Sequence, residues 1–224
     1  MPTPKRLIAA LAGLMIAAGA ALSSAGPASA AAASGASGAV SSAPDSGLST
    51  PFPSCDFFNC PEGTITNIGS GKCVAPVPDP DGGYAVNGLD IGQFTCLAGS
   101  PPSQTWRMVP LVNITVDGQT RTVYHIINRA AMKCLDDRDG KISDRSPVQL
   151  WACNDTSTTM QWVLGDDLTG SWQLLNLRAV QKGGSRCLDV AAGSLGDGAV
   201  LQLYHCTSLN TAQHFYEPAI PVAS

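Results

Sequence analysis

Polar and apolar positions alternate in short bursts through the second half of the chain and do not settle into a helical rhythm. Thr122-Val123-Tyr124-His125-Ile126-Ile127, Val148-Gln149-Leu150-Trp151, Ser171-Trp172-Gln173-Leu174-Leu175 and Ala199-Val200-Leu201-Gln202-Leu203-Tyr204 are short and rich in β-branched and aromatic residues. Clusters of Gly, Asp, Ser and Pro separate them, as expected of turns between strands. No apolar stripe of helical period runs longer than two turns. The pattern predicts an all-β protein.

The strands recur with the cysteines. Cys134 to Cys153 and Cys187 to Cys206 are each 19 residues apart, and Cys73 to Cys96 is 23, the same loop with an insertion. A basic residue precedes each first cysteine: Lys72, Lys133, Arg186. Upstream of it stands an asparagine: Asn67, Asn128, Asn176. The second and third copies match closely, Cys134-Leu135-Asp136 with Cys187-Leu188-Asp189, Gly140 with Gly193, Asp144 with Asp197, and Gln149-Leu150-Trp151 with Gln202-Leu203-Tyr204. An aromatic residue closes each copy: Trp106, Trp162, Phe215. Three copies of a four-strand unit, none able to bury its own apolar face, are expected to close about a threefold axis as a β-trefoil. A propeller comes second, since its blades are shorter and more numerous. The spacing predicts three bridges, one per repeat, and Cys55–Cys60 closing a small loop at the edge. A loop of this size contributes roughly 3 kcal/mol through chain entropy.

The N-terminal part has a different composition. Lys5 and Arg6 precede a run of small and apolar residues over 7–22, and Ala28-Ser29-Ala30 offers a small-x-small cleavage pattern. The run is shorter than the roughly 20 residues of a membrane span. It predicts a signal peptide over 1–30, and hence a secreted, extracellular protein without stable membrane insertion. Residues 31–54 are Ala, Ser, Gly and Pro with Asp45 the one charge, a composition expected to stay flexible. The folded domain is expected over 55–218, followed by a short tail at 219–224. Loss of Lys5 and Arg6 takes the net charge from −4 to −6. An acidic chain without a basic cluster argues against nucleic acid and anionic membranes as partners.

Cys-Leu-Asp opening a repeat, Gln-Leu-aromatic-x-Cys within it and Gln-x-Trp closing it resemble the ricin B-type lectin family. The resemblance covers roughly residues 63–217 and implies a β-trefoil with up to three shallow sugar sites. Each site would combine a carboxylate accepting two hydroxyls, an aromatic ring under the sugar's C–H face, and one or two amides. In the third repeat these are Asp189, Tyr204, Gln202 and Gln213, with His205 and Asn210 near enough to contribute. Ala212 stands where the family often has asparagine. The second repeat offers Asp136, Trp151 and Gln149, but has Thr159 and Met160 in place of an Asn-Gln pair, and a charged loop over 136–139. The first repeat is expected not to bind. Ala75 replaces the aspartate, Gly92 replaces the glutamine, and an insertion over 76–90 rebuilds the wall, with Asp79 or Asp81 as weak substitutes. The aromatic residues of the closing motif are expected in the shared core.

The sequence holds no nucleophile elbow, His-Glu-x-x-His or phosphate loop. Cysteines spaced by 19 do not resemble a zinc site. No cofactor, metal or catalytic residue is expected. The leading expectation is a secreted glycan-binding protein without enzyme activity. The competing one is a sugar-blind trefoil acting as an inhibitor or as the carrier subunit of a toxin, and an enzyme of unrecognised type comes third.

Overall fold

The computed structural model describes Cys55 and residues 58–218; the expected signal peptide, leader and tail lie outside the described residues. The strands are β1 (Glu62–Gly63), β2 (Thr66–Asn67), β3 (Cys73–Pro76), β4 (Leu89–Phe94), β5 (Trp106–Val116), β6 (Gln119–Asn128), β7 (Lys133–Asp137), β8 (Ser146–Trp151), β9 (Gln161–Leu168), β10 (Ser171–Asn176), β11 (Arg186–Val190), β12 (Ala199–His205) and β13 (Phe215–Tyr216). They group as three lobes of four strands. The opening strand of the first lobe is broken into β1 and β2.

First and last strands of successive lobes pair side by side: β1 with β5, β5 with β6, β6 with β9, β9 with β10, β10 with β13, and β13 with β2. That circuit is a closed barrel. The middle strands form three hairpins, β3–β4, β7–β8 and β11–β12, which also pair with one another through β4–β8, β8–β12 and β12–β4. The hairpins therefore cap one end of the barrel around a threefold axis, as a β-trefoil requires.

The core lies on that axis. Trp106, Trp162 and Phe215 are fully buried, as the sequence predicts, among Ile91, Leu135, Leu150, Leu188 and Leu203. The Trp106 and Trp162 indoles donate to the carbonyls of Val74 and Leu135, at 2.8 and 3.0 Å. Phe215 has no N–H to give, so the third lobe keeps the packing of that position without the bond. All four expected disulfides are present: Cys55–Cys60, Cys73–Cys96, Cys134–Cys153 and Cys187–Cys206.

Each repeated polar residue has a structural use. Asn67 and Asn128 are buried, donate to carbonyls of a neighbouring closing turn, and accept backbone N–H groups of their own. Asn176 donates to the Thr159 carbonyl, but its Oδ1 is left without a partner, because the chain turns there into α1 (Leu177–Gln181). The repeat pattern does not announce α1, since a helix this short carries no readable stripe. Asp144 accepts the His205 N–H and pairs with Arg186, and Asp197 accepts the Thr95 N–H and pairs with Lys72. In the first lobe Asn87 accepts the Ala152 N–H in the same way. Each lobe thus latches the next through one loop side chain.

Candidate functional site

The three hairpins share one register. Asp189 lies opposite Gln202 and Cys187 opposite Tyr204; Asp136 lies opposite Gln149 and Cys134 opposite Trp151; Ala75 lies opposite Gly92 and Cys73 opposite Phe94. Residues two apart on a strand share a face. The carboxylate, amide and aromatic positions therefore stand together on one face of each hairpin, and the disulfide fixes the end at which the aromatic ring sits.

In the third lobe Asp189 is 5% exposed and both of its oxygens are held. Gln202 Nε2 donates to Oδ1 at 2.9 Å, and Gln213 Nε2 donates to Oδ2 at 3.2 Å. Burial pushes the Asp189 carboxyl up, while the two amides pull it back toward the charged form. Gln213 is itself fully buried. It also donates to the His205 carbonyl at 2.9 Å and accepts the Thr207 N–H at 2.8 Å. Its place is behind Asp189, orienting the carboxylate and fastening the loop after Cys206. Gln104 holds the corresponding loop of the first lobe, taking the Leu97 N–H and donating to the Thr95 carbonyl. Tyr204 is half-buried and its ring centroid lies 4.5 Å from that of His205. The His205 Nδ1 is 3.0 Å from Asp144 Oδ2, which holds the imidazole at the rim. Asn210 is turned inward and accepts the Ala212 N–H.

The second lobe has the same hairpin and a different floor. Gln149 Nε2 donates to Asp136 Oδ2 at 2.8 Å. Met160 occupies the position of Gln213 and has no donor, so the buried Asp136 Oδ1 has no partner among the described residues. Burial raises the Asp136 carboxyl, with Gln149 and Thr159 opposing. Arg138 donates to Gln149 Oε1 at 2.9 Å and to the Gly88 carbonyl at 3.0 Å, and pairs with Asp90. Trp151 is 42% exposed at the mouth. Asp136, Arg138, Gln149, Trp151 and Met160 line an open cleft of about 800 Å³, with Asn154, Thr159 and Arg178 also in its wall.

Two residues of this cleft have no counterpart in the repeat pattern. Asp137 sits where the third lobe has Val190. It is buried, accepts the Ile142 N–H at 3.3 Å with one oxygen, and leaves the other unpaired. Burial pushes its carboxyl up to about 6. Arg178 comes from α1, in the chain segment of the third lobe, so nothing in the second repeat's own sequence announces it.

The first lobe lacks the carboxylate. Asp79 accepts the Gly83 N–H and shapes its own turn, and neither it nor Asp81 lines the pocket there. Gly92 is closely packed, since a Cβ would come 3.2 Å from the Phe94 ring and 3.3 Å from the Ala199 carbonyl. What remains is a 310 Å³ hollow with Tyr84, Phe94 and Pro78 in its wall.

A sequence profile described as ricin-type beta-trefoil lectin domain-like matches residues 59–151 and, overlapping these, 113–204. No curated protein sequence matches. Among solved structures, the designed threefold-symmetric protein ThreeFoil superposes with a TM-score of 0.57 at 23% identity, over 70% of this chain and 98% of its own. An exo-beta-1,3-galactanase from Clostridium thermocellum superposes at 0.54 and 21% identity, over 71% of this chain and 30% of its own. A Polyporus squamosus lectin, solved with a sialylated epitope, superposes at 0.52 and 12% identity, over 70% of this chain and 48% of its own. The twofold profile match covers more than half of the sequence, and the chain belongs to the ricin-type β-trefoil lectin domain-like family.

Proposed function

We propose that this protein is a secreted glycan-binding protein that recognises sugars at the third and second lobes and carries out no reaction of its own. Three groups of different chemistry share one hairpin face in each lobe. A carboxylate accepts hydroxyls, an amide holds it in place, and an aromatic ring at the mouth covers the sugar's C–H face. The carrying observation is the second-lobe cleft, where a buried carboxylate oxygen lacks a donor beside an exposed tryptophan and an opening large enough for a hexose. A buried acceptor without a donor costs about 1–3 kcal/mol, which a ligand hydroxyl would recover. Asp189, Gln202, Tyr204 and His205 are assigned to the third site, with Gln213 behind them, and Asp136, Gln149 and Trp151 to the second. Four disulfides suit an extracellular setting. Among the described residues no helix is long and apolar enough to cross a membrane.

Binding to a panel of galactan, xylan and uronate-containing oligosaccharides tests the reading. Single-site affinity near millimolar is expected for a lone sugar, with multivalent display raising it. Asp136→Ala is expected to weaken its own site by about 30-fold or more, with the unfolding midpoint close to that of the parent. Asp189→Ala also strips the acceptor from the Gln202 and Gln213 amides, so it is expected to weaken its site and to cost about 1–3 kcal/mol in stability. A panel blank under multivalent display would favour the sugar-blind interaction protein instead.

A further inference from the structure

The second-lobe cleft contains a cationic group that a neutral sugar leaves unanswered. Arg178 Nε is buried without a hydrogen-bond partner, and no carboxylate of the described residues stands at ion-pairing distance from it. The other cationic groups nearby are engaged, Arg138 with Asp90 and Lys141 with Asp139 at 3.4 Å. Arg178 is also held in position. Gly140 adopts φ +61°, and a Cβ there would come within 3.2 Å of both Cζ and Nε of the guanidinium. The guanidinium thus packs closely over Gly140 and the Thr159 methyl, and a side chain at 140 would displace it by a few tenths of an ångström. In the third lobe the matching Gly193 has nothing within 4 Å, so this packing belongs to the second lobe alone.

A guanidinium in the wall of the cleft offers a planar fork of donors, and such a fork matches two oxygens of one carboxylate. Asp136, with an oxygen lacking a donor, asks the same ligand for a hydroxyl. Trp151 offers a flat face. We propose that the second lobe selects a carboxylate-bearing sugar, a hexuronate. Its carboxylate lies on Arg178, a ring hydroxyl on Asp136, and its C–H face over Trp151. This rests on reading the cleft as a sugar site, and it adds the class of sugar. Asp137 sets a limit on the preference, because its carboxylate shares the field of Arg178. The expected selectivity is consequently moderate.

The test uses the full chain, with NMR observation of the Trp151 indole N–H to locate binding in this cleft. Tri-galacturonate is expected to bind about tenfold more tightly than its methyl ester and than galactotriose, since only the free acid carries the charge. Arg178→Gln should bring that ratio to about one, with Arg178→Lys between the two. The methyl-ester comparison uses the wild-type protein and does not depend on how well a variant folds. Equal affinities for acid and ester, or a ratio that survives Arg178→Gln, overturn the proposal while the cleft stays a sugar site. If none of the three ligands moves the Trp151 signal, the sugar reading of the cleft falls and the proposal falls with it.

Discussion

The second and third lobes carry the same hairpin, the same aspartate–glutamine register and the same disulfide, yet their carboxylates stand in opposite situations. Asp189 accepts one amide N–H on each oxygen, from Gln202 and Gln213, so both oxygens are oriented in advance and still keep lone pairs for further donors. Asp136 has one amide donor, Gln149, because Met160 replaces the second, and with only the Thr159 hydroxyl nearby its buried Oδ1 is left without a hydrogen bond. The third site is a pre-oriented carboxylate. The second keeps a buried acceptor without a donor, at a cost of about 1–3 kcal/mol. A match to the family's motif therefore tracks how fully the lobe's own hydrogen bonds are made, and the departure at Met160 leaves one of them unmade.

That comparison can be broken most forcefully at Gln213. Gln213→Met would strip the donor from Asp189 Oδ2 and the His205 carbonyl and the acceptor from the Thr207 N–H, all at a buried site. A loss of about 2–4 kcal/mol in denaturant unfolding is expected, with the Asp189 carboxyl moving further up in an NMR titration. A loss below about 1 kcal/mol would mean that Gln213 does not hold the lobe.

Asp137→Val, which gives the second lobe the residue of the third, should act in the other direction. The folded carboxyl titrates at about 6 against an ordinary value of 3.8. The folded protein therefore binds more protons than the unfolded one between those values, and stability falls as pH rises through that window. Replacing Asp137 removes the slope. A gain of about 1–2 kcal/mol at pH 7, smaller than the full shift because Arg178 and the open cleft screen the charge, and none near pH 4, is expected from paired unfolding curves.

The smallest effect is expected from Met160→Gln, which supplies Asp136 Oδ1 with a donor. The gain of one hydrogen bond opposes the lost packing of Met160 against Cys60, Val109 and Ile127, leaving stability within about 1 kcal/mol. The informative reading is the titration of Asp136, which should move down toward that of an ordinary aspartate.

Much of this architecture was legible in the chain because its marks are core marks. Cysteines, closing aromatics and the seam asparagines recur where the barrel and its cap must be identical three times, and they predicted the trefoil, the bridges and the buried positions of Trp106, Trp162 and Phe215. Asp144 and Asp197 were visible as a pair, but Asn87 was hidden inside the insertion over 76–90. Asp137 was one charge among four in a loop, and its burial depends on how that loop folds against Ile142. Arg178 was out of reach for a different reason. It lies on the far side of a strand from the repeat it serves, and only the packing of α1 against the Thr158–Met160 turn brings it there. Side chains contributed across a seam are invisible to any reading that proceeds repeat by repeat.

The barrel is completed by β13 lying against β2, where Phe215 faces Asn67. Every hairpin can assemble from neighbours in the chain, but this seam joins the two extremes of the domain and brings the largest loop-closure entropy of any strand pairing in the structure. As the polypeptide emerges during synthesis, the three lobes can accumulate one after another while the ring stays open, and Asn67 waits for carbonyls at Thr211 and His214 that are among the last to appear. A stop codon at Phe215 would thus leave hairpins and bridges in place around an unsealed cylinder.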